Sequence, residues 1–156
     1  MSPTLTERPE TLSNLEHQVY LTVQRLAADL GHQTAELLKA SGLSPAQFNV
    51  LRILRGAGED GLTCGEIGER LITRDSDVTR LLDRLEKQAL VTRVRSTKDR
   101  RVVLTTLTER GRTLVTDLDA PLAALHRAQL GGLGPQKLTQ LLVLLGEAAA
   151  TSQEVG

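Results

Sequence analysis

Apolar residues recur at intervals of three and four along most of the chain, the spacing of a helix that buries one face. Leu15, Val19, Leu26, Leu30 and Leu37 mark a long first helix ending near Ser41-Gly42, and Phe48, Leu51 and Leu54 mark a second before Gly56. Ile67 and Leu71 sit on a short third helix, and Val78, Leu81, Leu82 and Leu85 give a fourth at i, i+3, i+4 and i+7. The period then changes. Leu90 to Val94 and Val102 to Leu107 are rich in Val, Thr and Leu and flank the polar run Arg95-Ser96-Thr97-Lys98-Asp99-Arg100-Arg101, which predicts a β-hairpin with a charged tip. Beyond it Leu114, Leu118, Leu122 and Leu125 predict a fifth helix with Pro121 expected to kink it. Gly131 to Gly134 interrupt the pattern, and Leu138, Leu141, Leu142 and Leu145 belong to a last helix with Pro135 in its first turn.

Several helix starts are written in capping chemistry. A Ser or Thr followed three residues later by Glu or Gln satisfies two orphan backbone donors, and this pattern stands at Ser13–Glu16, Ser44–Gln47 and Thr63–Glu66. Thr108 opens the fifth helix, and Thr73-Arg74-Asp75-Ser76 is a looser start for the fourth, lacking the Glu.

Composition narrows the class. In 156 residues there are one Phe, one Tyr and no Trp, so Leu, Val, Ile and Ala must fill the core, which favours helices over a sandwich or barrel. Cys64 is alone and is accompanied only by His17, His32 and His126, which excludes an internal disulfide and a Cys/His zinc set; no metal and no cofactor are expected. No glycine-rich phosphate loop or nucleophile elbow is present, so an enzyme is not expected. The first ten residues are polar with two prolines, and no apolar run has membrane-spanning length, so a cytoplasmic location is expected.

The net charge is zero, but its distribution is uneven. Residues 70–112 hold twelve basic against six acidic side chains, leaving seven basic and thirteen acidic in the remainder. A local positive field, rather than the total, draws in a phosphate backbone. Two short helices joined by a brief turn, the second basic and amphipathic, followed by a hairpin with a cationic tip, form the arrangement of a winged helix-turn-helix. The second helix would lie in the major groove of duplex DNA with Ser76, Thr79, Arg80 and Asp83 facing outward and Arg84 one turn beyond, while the hairpin reaches the minor groove. A glycine at position 68 permits close approach where the third and fourth helices cross.

From about Leu43 to Gly111 the sequence resembles the multiple antibiotic resistance regulator (MarR) family of bacterial transcription factors. The resemblance is carried by Leu62-Thr63 leading into Gly65-Glu66-Ile67-Gly68-Glu69-Arg70-Leu71, by Val78 to Glu86, by Leu90-Val91-Thr92-Arg93, by Lys98-Asp99-Arg100-Arg101 and by Leu107-Thr108-Glu109-Arg110-Gly111. Ala89 departs from it, standing where the family usually has glycine, so a positive φ there would carry strain. The resemblance implies a single domain over residues 1–156, mainly α with a small β-hairpin wing: a winged helix-turn-helix over 44–107 and dimerisation helices over 11–41 and 108–150. It implies a homodimeric repressor that reads a palindromic operator and is released by a small molecule or stress signal.

The candidate DNA contacts are Arg74, Ser76, Thr79, Arg80, Arg84, Lys98, Asp99, Arg100 and Arg101. Arg80 is expected at a base edge, Arg101 in the minor groove, Arg100 on phosphate, and Asp99, as in the family, paired with a wing guanidinium. Strand alternation puts Asp99 and Arg101 on one side and Arg100 on the other. Asp75 and Asp77 are expected to stabilise the start of the recognition helix, with a cytosine contact as the alternative. Leu15, Val19, Leu138, Leu141, Leu142 and Leu145 are the candidate dimer contacts, the last helix being apolar over a wider face than one small domain can cover. His17, Tyr20, Gln24, Arg25, Arg52 and Arg55 are the candidate ligand pocket, although Tyr20 and Phe48 offer little for a ring to stack on. Cys64, in the first turn of the third helix, is expected to be half-buried rather than a redox sensor. A helical adaptor with the same fold is the competing reading.

Overall fold

The computed structural model describes residues 14–73 and 77–156, which form two compact units, one ending at Gln33 and the other running from Thr34 onward. A single helix, α1 (Leu15–Lys39), passes from the first unit into the second. Ser13, the expected cap, lies outside the described residues; Asn14 makes the capping bond, its Oδ1 accepting from the backbone N–H of His17 at 2.9 Å. In the first unit Leu15, Val19, Val23 and Leu26 form an exposed apolar row along the helix.

α1 closes with a left-handed residue, Gly42 (φ 68°), and paired bonds from Gly42 N–H to Lys39 O (3.0 Å) and Leu43 N–H to Leu38 O (3.3 Å). Buried Leu38 and Leu43 make the apolar contact that accompanies this cap. α2 (Pro45–Ala57) then starts with a complete capping box: Ser44 Oγ accepts from Gln47 N–H at 3.1 Å and Ser44 N–H donates to Gln47 Oε1 at 2.9 Å. The helix continues through Gly56 to Ala57.

α2 is the centre of the second unit. It buries Phe48, Val50, Leu51 and Leu54 and packs against α3 (Cys64–Arg70), α4 (Val78–Lys87), α5 (Glu109–Leu130) and the hairpin strand β2 (Val103–Leu107). Ile67 of α3, Leu82 and Leu85 of α4, Val115 of α5, and Leu90 and Val91 at the start of the hairpin belong to the same cluster. Each such side chain contributes roughly 1.5–3 kcal/mol by leaving water.

The wing pairs β1 (Val91–Arg95) antiparallel with β2, from Val91 opposite Leu107 to Arg95 opposite Val103. Leu62 adds a third, one-residue rung through bonds in both directions with Thr105, at 3.0 and 2.8 Å. Two glycines make this packing possible: a Cβ on Gly61 (φ 72°) would stand 2.6 Å from Thr105 O, and one on Gly111 would run into the carbonyl oxygen of Leu90.

Two local expectations change. α4 begins at Val78, not near Thr73, because Asp77 is its N-cap, accepting from Arg80 N–H at 3.2 Å. At α3, Thr63 Oγ1 accepts from Glu66 N–H at 3.2 Å, which is one half of the box. α5 continues as helix on both sides of Pro121. A short 3-10 turn over Gly131–Leu133 leads to α6 (Gly134–Gln153), with Pro135 in its first turn as expected. Among the described residues no helix is long and apolar enough to cross a membrane.

Candidate nucleic-acid interface

α3 and α4 form the helix-turn-helix. The buried side chain of Asn49 on α2 reaches the turn between them, its Oδ1 accepting from Ile72 N–H at 3.0 Å. A Cβ on Gly68 would stand 3.4 Å from Val78 Cγ2, an ordinary van der Waals contact, so the expected close approach of the two helices does not require a glycine there. Cys64 is exposed, against the expectation of half-burial, because the first turn of α3 faces the start of α4 rather than the core; its Sγ lies 3.9 Å from Thr79 Oγ1.

The helical repeat sorts α4 into three rows. Val78, Leu81, Leu82 and Leu85 face inward, with Leu82 and Leu85 fully buried. Arg80, Arg84 and Lys87 make one outer row at i, i+4 and i+7, and Thr79, Asp83 and Glu86 make the other. All six outer residues are exposed. Arg74 and Ser76 lie outside the described residues, as does Asp75.

The acidic row is tied to the wing. Arg93 on β1 donates from Nη2 to Asp83 Oδ1 at 2.7 Å and to Glu86 Oε1 at 3.1 Å, and from Nε to Glu86 Oε2 at 3.1 Å. These charge-assisted bonds hold Glu86 below the usual carboxylate range and push the guanidinium above its own. Asp83 therefore does not simply project toward a ligand. Residue spacing on α4 alone could not reveal this, because the partner arrives from a strand seven to ten residues on.

At the wing tip Lys98, Asp99, Arg100 and Arg101 are all exposed. Residues 96–102 form a turn and not a continued strand: Val102 N–H bonds to Asp99 O at 3.0 Å, and Ser96 N–H to Val102 O at 2.8 Å. Strand alternation consequently does not govern the directions of Arg100 and Arg101. Asp99 also departs from expectation, because its Oδ1 accepts from the backbone N–H of Arg101 at 3.0 Å, an Asx turn, rather than from a wing guanidinium. The guanidinium that does brace the tip is Arg95, whose Nη1 donates to Arg100 O at 2.8 Å.

α4 ends in a cap that matches the one on α1. Ala89 is left-handed (φ 58°), its N–H bonds to Glu86 O, and Leu90 N–H bonds to Leu85 O, both at 3.0 Å. The anticipated strain at Ala89 is thus present, and Ala89 O accepts from Thr108 Oγ1 at 2.7 Å, the same hydroxyl that caps α5.

Of the candidate ligand residues, the first unit carries His17, Tyr20, Gln24 and Arg25, with the His17 and Tyr20 rings stacked at a 6.1 Å centroid distance. The second carries Arg52 and Arg55. Both terminal nitrogens of Arg55 donate to the Asp119 carboxylate, at 2.8 and 3.0 Å, clamping α2 to α5. That pairing, with Arg52 nearby, holds Asp119 below the ordinary carboxylate range. The candidate dimer residues Leu15, Val19, Leu142 and Leu145 are exposed, and Leu138 and Leu141 are half-buried.

Comparison with known proteins bears directly on this geometry. The MarR family model matches residues 41–102, the segment containing the helix-turn-helix and most of the wing. The HTH-type transcriptional repressor MdtR of Bacillus subtilis (strain 168) is 30% identical over 148 residues, covering 93% of this chain and 94% of that protein. A MarR transcription factor from Planctomyces limnophilus is structurally similar with a TM-score of 0.66 and 34% identity, over 89% of this chain and 98% of that one. A cysteine-to-serine mutant of MarR from E. coli, solved in complex with operator DNA, gives a TM-score of 0.76 at 25% identity, covering 87% and 99% of the two chains. Similarity over 93% of the chain to an HTH-type transcriptional repressor, and over 89% to a MarR transcription factor, joins a winged helix-turn-helix that presents cations on α4 and at the wing tip, and the chain belongs to the MarR family of DNA-binding transcriptional regulators.

Proposed function

We propose that this regulator is a cytoplasmic homodimer that represses transcription by binding a palindromic operator, and that a small molecule or stress signal releases it. The observation that carries the dimer is α6: all of its residues are described and none is buried, and Leu142 and Leu144 are 73% and 61% exposed. An apolar surface of that kind calls for a second copy. The exposed row Leu15, Val19, Val23 and Leu26 on α1 has the same character.

In a two-fold dimer the α4 helices would enter successive major grooves, about 34 Å apart. Thr79, Arg80 and Arg84 are the proposed contacts from α4, with Arg80 at a base edge, and Lys98, Arg100 and Arg101 those from the wing. Arg74 and Ser76 precede α4 and belong to the proposed contact set by position in the chain. Asp99 supports the wing as a positioning residue. For a small effector the candidate residues are His17, Tyr20, Gln24 and Arg25 in the first unit and, separately, Arg52 and Arg55 in the second, where releasing or re-forming the Arg55–Asp119 clamp is a way to act on α2 and hence on the reading head.

The test is sedimentation together with DNA retardation over a salt series. A dimer is expected, with operator affinity falling steeply as salt rises because bound phosphates release counterions. The double variant Leu141→Glu/Leu145→Glu is expected to be monomeric and to lose operator binding. A flat salt response would favour a protein-binding adaptor, and a double variant still dimeric at micromolar concentration would remove α6 from the interface.

A further inference from the structure

The recognition helix carries as many acids as a DNA-reading surface can ill tolerate. Asp83 and Glu86 stand on its exposed side, one helical row from Arg80, Arg84 and Lys87. Bare carboxylates there would oppose a phosphate backbone, because like charges brought together at an interface lower both affinity and association rate. The structure supplies a counter-charge: the Arg93 side chain, 26% exposed, forks across both carboxylates with contacts of 2.7, 3.1 and 3.1 Å. One guanidinium offers just such a rigid fork, and both of the carboxylates it spans are left with about half of their surface toward solvent.

We propose that Arg93 is a positioning residue for DNA binding: it masks Asp83 and Glu86, so that the row Arg80–Arg84–Lys87 sets the field of the recognition helix. In this role Arg93 acts through the two carboxylates and does not itself contact DNA. The inference rests on the DNA-binding reading of α4, and it adds to that reading an assignment for three residues which the contact set leaves out. It also accounts for a basic count in the middle of the chain that overstates the cations available to phosphate, since Arg93 is spent internally.

A double-mutant cycle separates masking from the alternatives. The probe is a labelled duplex selected by the wild-type protein from a randomised pool, titrated at several salt concentrations beside a duplex of unrelated sequence. Steep salt-dependent binding by wild type is the control for the underlying reading; its absence would refute that reading, whatever Arg93 does. Given that binding, Arg93→Ala is expected to weaken affinity for both duplexes by about fivefold or more at low salt, shrinking as salt screens the exposed acids. Adding Asp83→Asn and Glu86→Gln in the Arg93→Ala background is expected to restore most of the loss, while the same two changes in the wild-type background gain much less.

Arg93→Lys keeps the charge but not the fork and is expected to retain part of the affinity that Arg93→Ala loses. Three results would overturn the proposal. The first is additivity of the cycle, with Arg93→Ala costing the same whether or not the acids are present, as a direct phosphate contact predicts. The second is Arg93→Lys binding as poorly as Arg93→Ala. The third is a fall in thermal stability for Arg93→Ala with DNA affinity per folded molecule unchanged, which is the signature of a purely structural pair.

Discussion

The winged segment and the last helix both carry leucines at helical spacing and use them in opposite ways. In the segment from α2 to β2 the apolar rows find partners within the chain: Leu51, Leu54, Ile67, Leu82 and Leu85 are buried together. In α6 Leu138, Leu141, Leu142 and Leu145 recur with the same helical spacing, yet none is buried. An amphipathic pattern says that a face must be covered but not by which chain. The winged segment shares one core with Leu38 of α1 and Val115, Leu118 and Leu122 of α5 and presents polar and cationic rows, whereas the apolar face of α6 is left open within the single chain.

The largest effect that tests this contrast comes from placing the same charge in both regions. Leu85→Glu buries an unpaired carboxylate at a site with no solvent access, a cost of several kcal/mol against a folding margin of roughly 5–15 kcal/mol. It is expected to abolish the helical circular-dichroism spectrum or lower its melting temperature severely. Leu142→Glu alters a side chain that is mostly exposed in the single chain, so helicity is expected to persist while the dimer weakens in sedimentation. Equal damage to folding from both would mean that α6 is a core element within one chain, and the contrast would collapse.

Much of the closed region was legible in the sequence, because local chemistry and tertiary packing agree there. Ser44, Thr63 and Thr108 cap the helices they were expected to cap, and both strands start within a residue of the predicted positions. The misreadings differ in physical cause: two turn on local bonds that residue spacing alone left open, and one on a side chain that reaches another element. Asp77 rather than Thr73 begins α4, the turn closed by Val102 and Asp99 overrides strand alternation, and Arg93 finds its acids on α4. The open region was legible only as an unmet demand, from the breadth of the apolar face of α6.

A smaller effect sharpens the division of labour on the winged surface. Arg80→Ala is expected to cost ~1–3 kcal/mol per half-site and to relax preference at one base, as loss of a bidentate guanine contact would. Arg84→Ala is expected to weaken selected and unrelated duplexes alike, as loss of a phosphate contact would. Titration of both variants against both duplexes decides it, and equal losses for Arg80→Ala would remove the base-reading role.

The wing supplies the next step down in size. Asp99 holds the backbone N–H of Arg101, so Asp99→Ala loosens the turn that carries Arg100 and Arg101. It is expected to weaken DNA binding modestly although it removes a negative charge, and Arg101→Ala is expected to weaken binding more than Arg100→Ala where the flanks are A·T-rich and the groove is narrow. Tighter binding by Asp99→Ala would mean that net charge, rather than the Asx turn, governs the wing.

The smallest effect lies at the two matched helix ends. α1 and α4 close with the same pair of backbone bonds, but the left-handed position is Gly42 in one and Ala89 in the other. A residue with a Cβ in that region costs about 1–2 kcal/mol, partly offset because glycine loses more entropy on folding, by roughly 0.5–1 kcal/mol. Ala89→Gly is therefore expected to stabilise the protein by about 0.5–1 kcal/mol, and Gly42→Ala to destabilise it by a similar amount. The nearest atom to a Cβ at Gly42 would be Gln88 Nε2 at 4.0 Å, so the cost there is one of backbone conformation and not of collision. Denaturant midpoints for the two variants and the wild type provide the measurement. If Ala89→Gly destabilised instead, the Ala89 methyl would be contributing packing that outweighs its strain, and the two caps would be equivalent only in their hydrogen bonds. The position matters to the reading head because the Ala89 carbonyl accepts from Thr108 Oγ1, so the end of the recognition helix and the start of α5 share one anchor. Relieving strain at Ala89 is expected to leave DNA affinity unchanged if that anchor alone sets the angle of α4, and a shift in affinity would show that the left-handed alanine is itself part of how the helix is aimed.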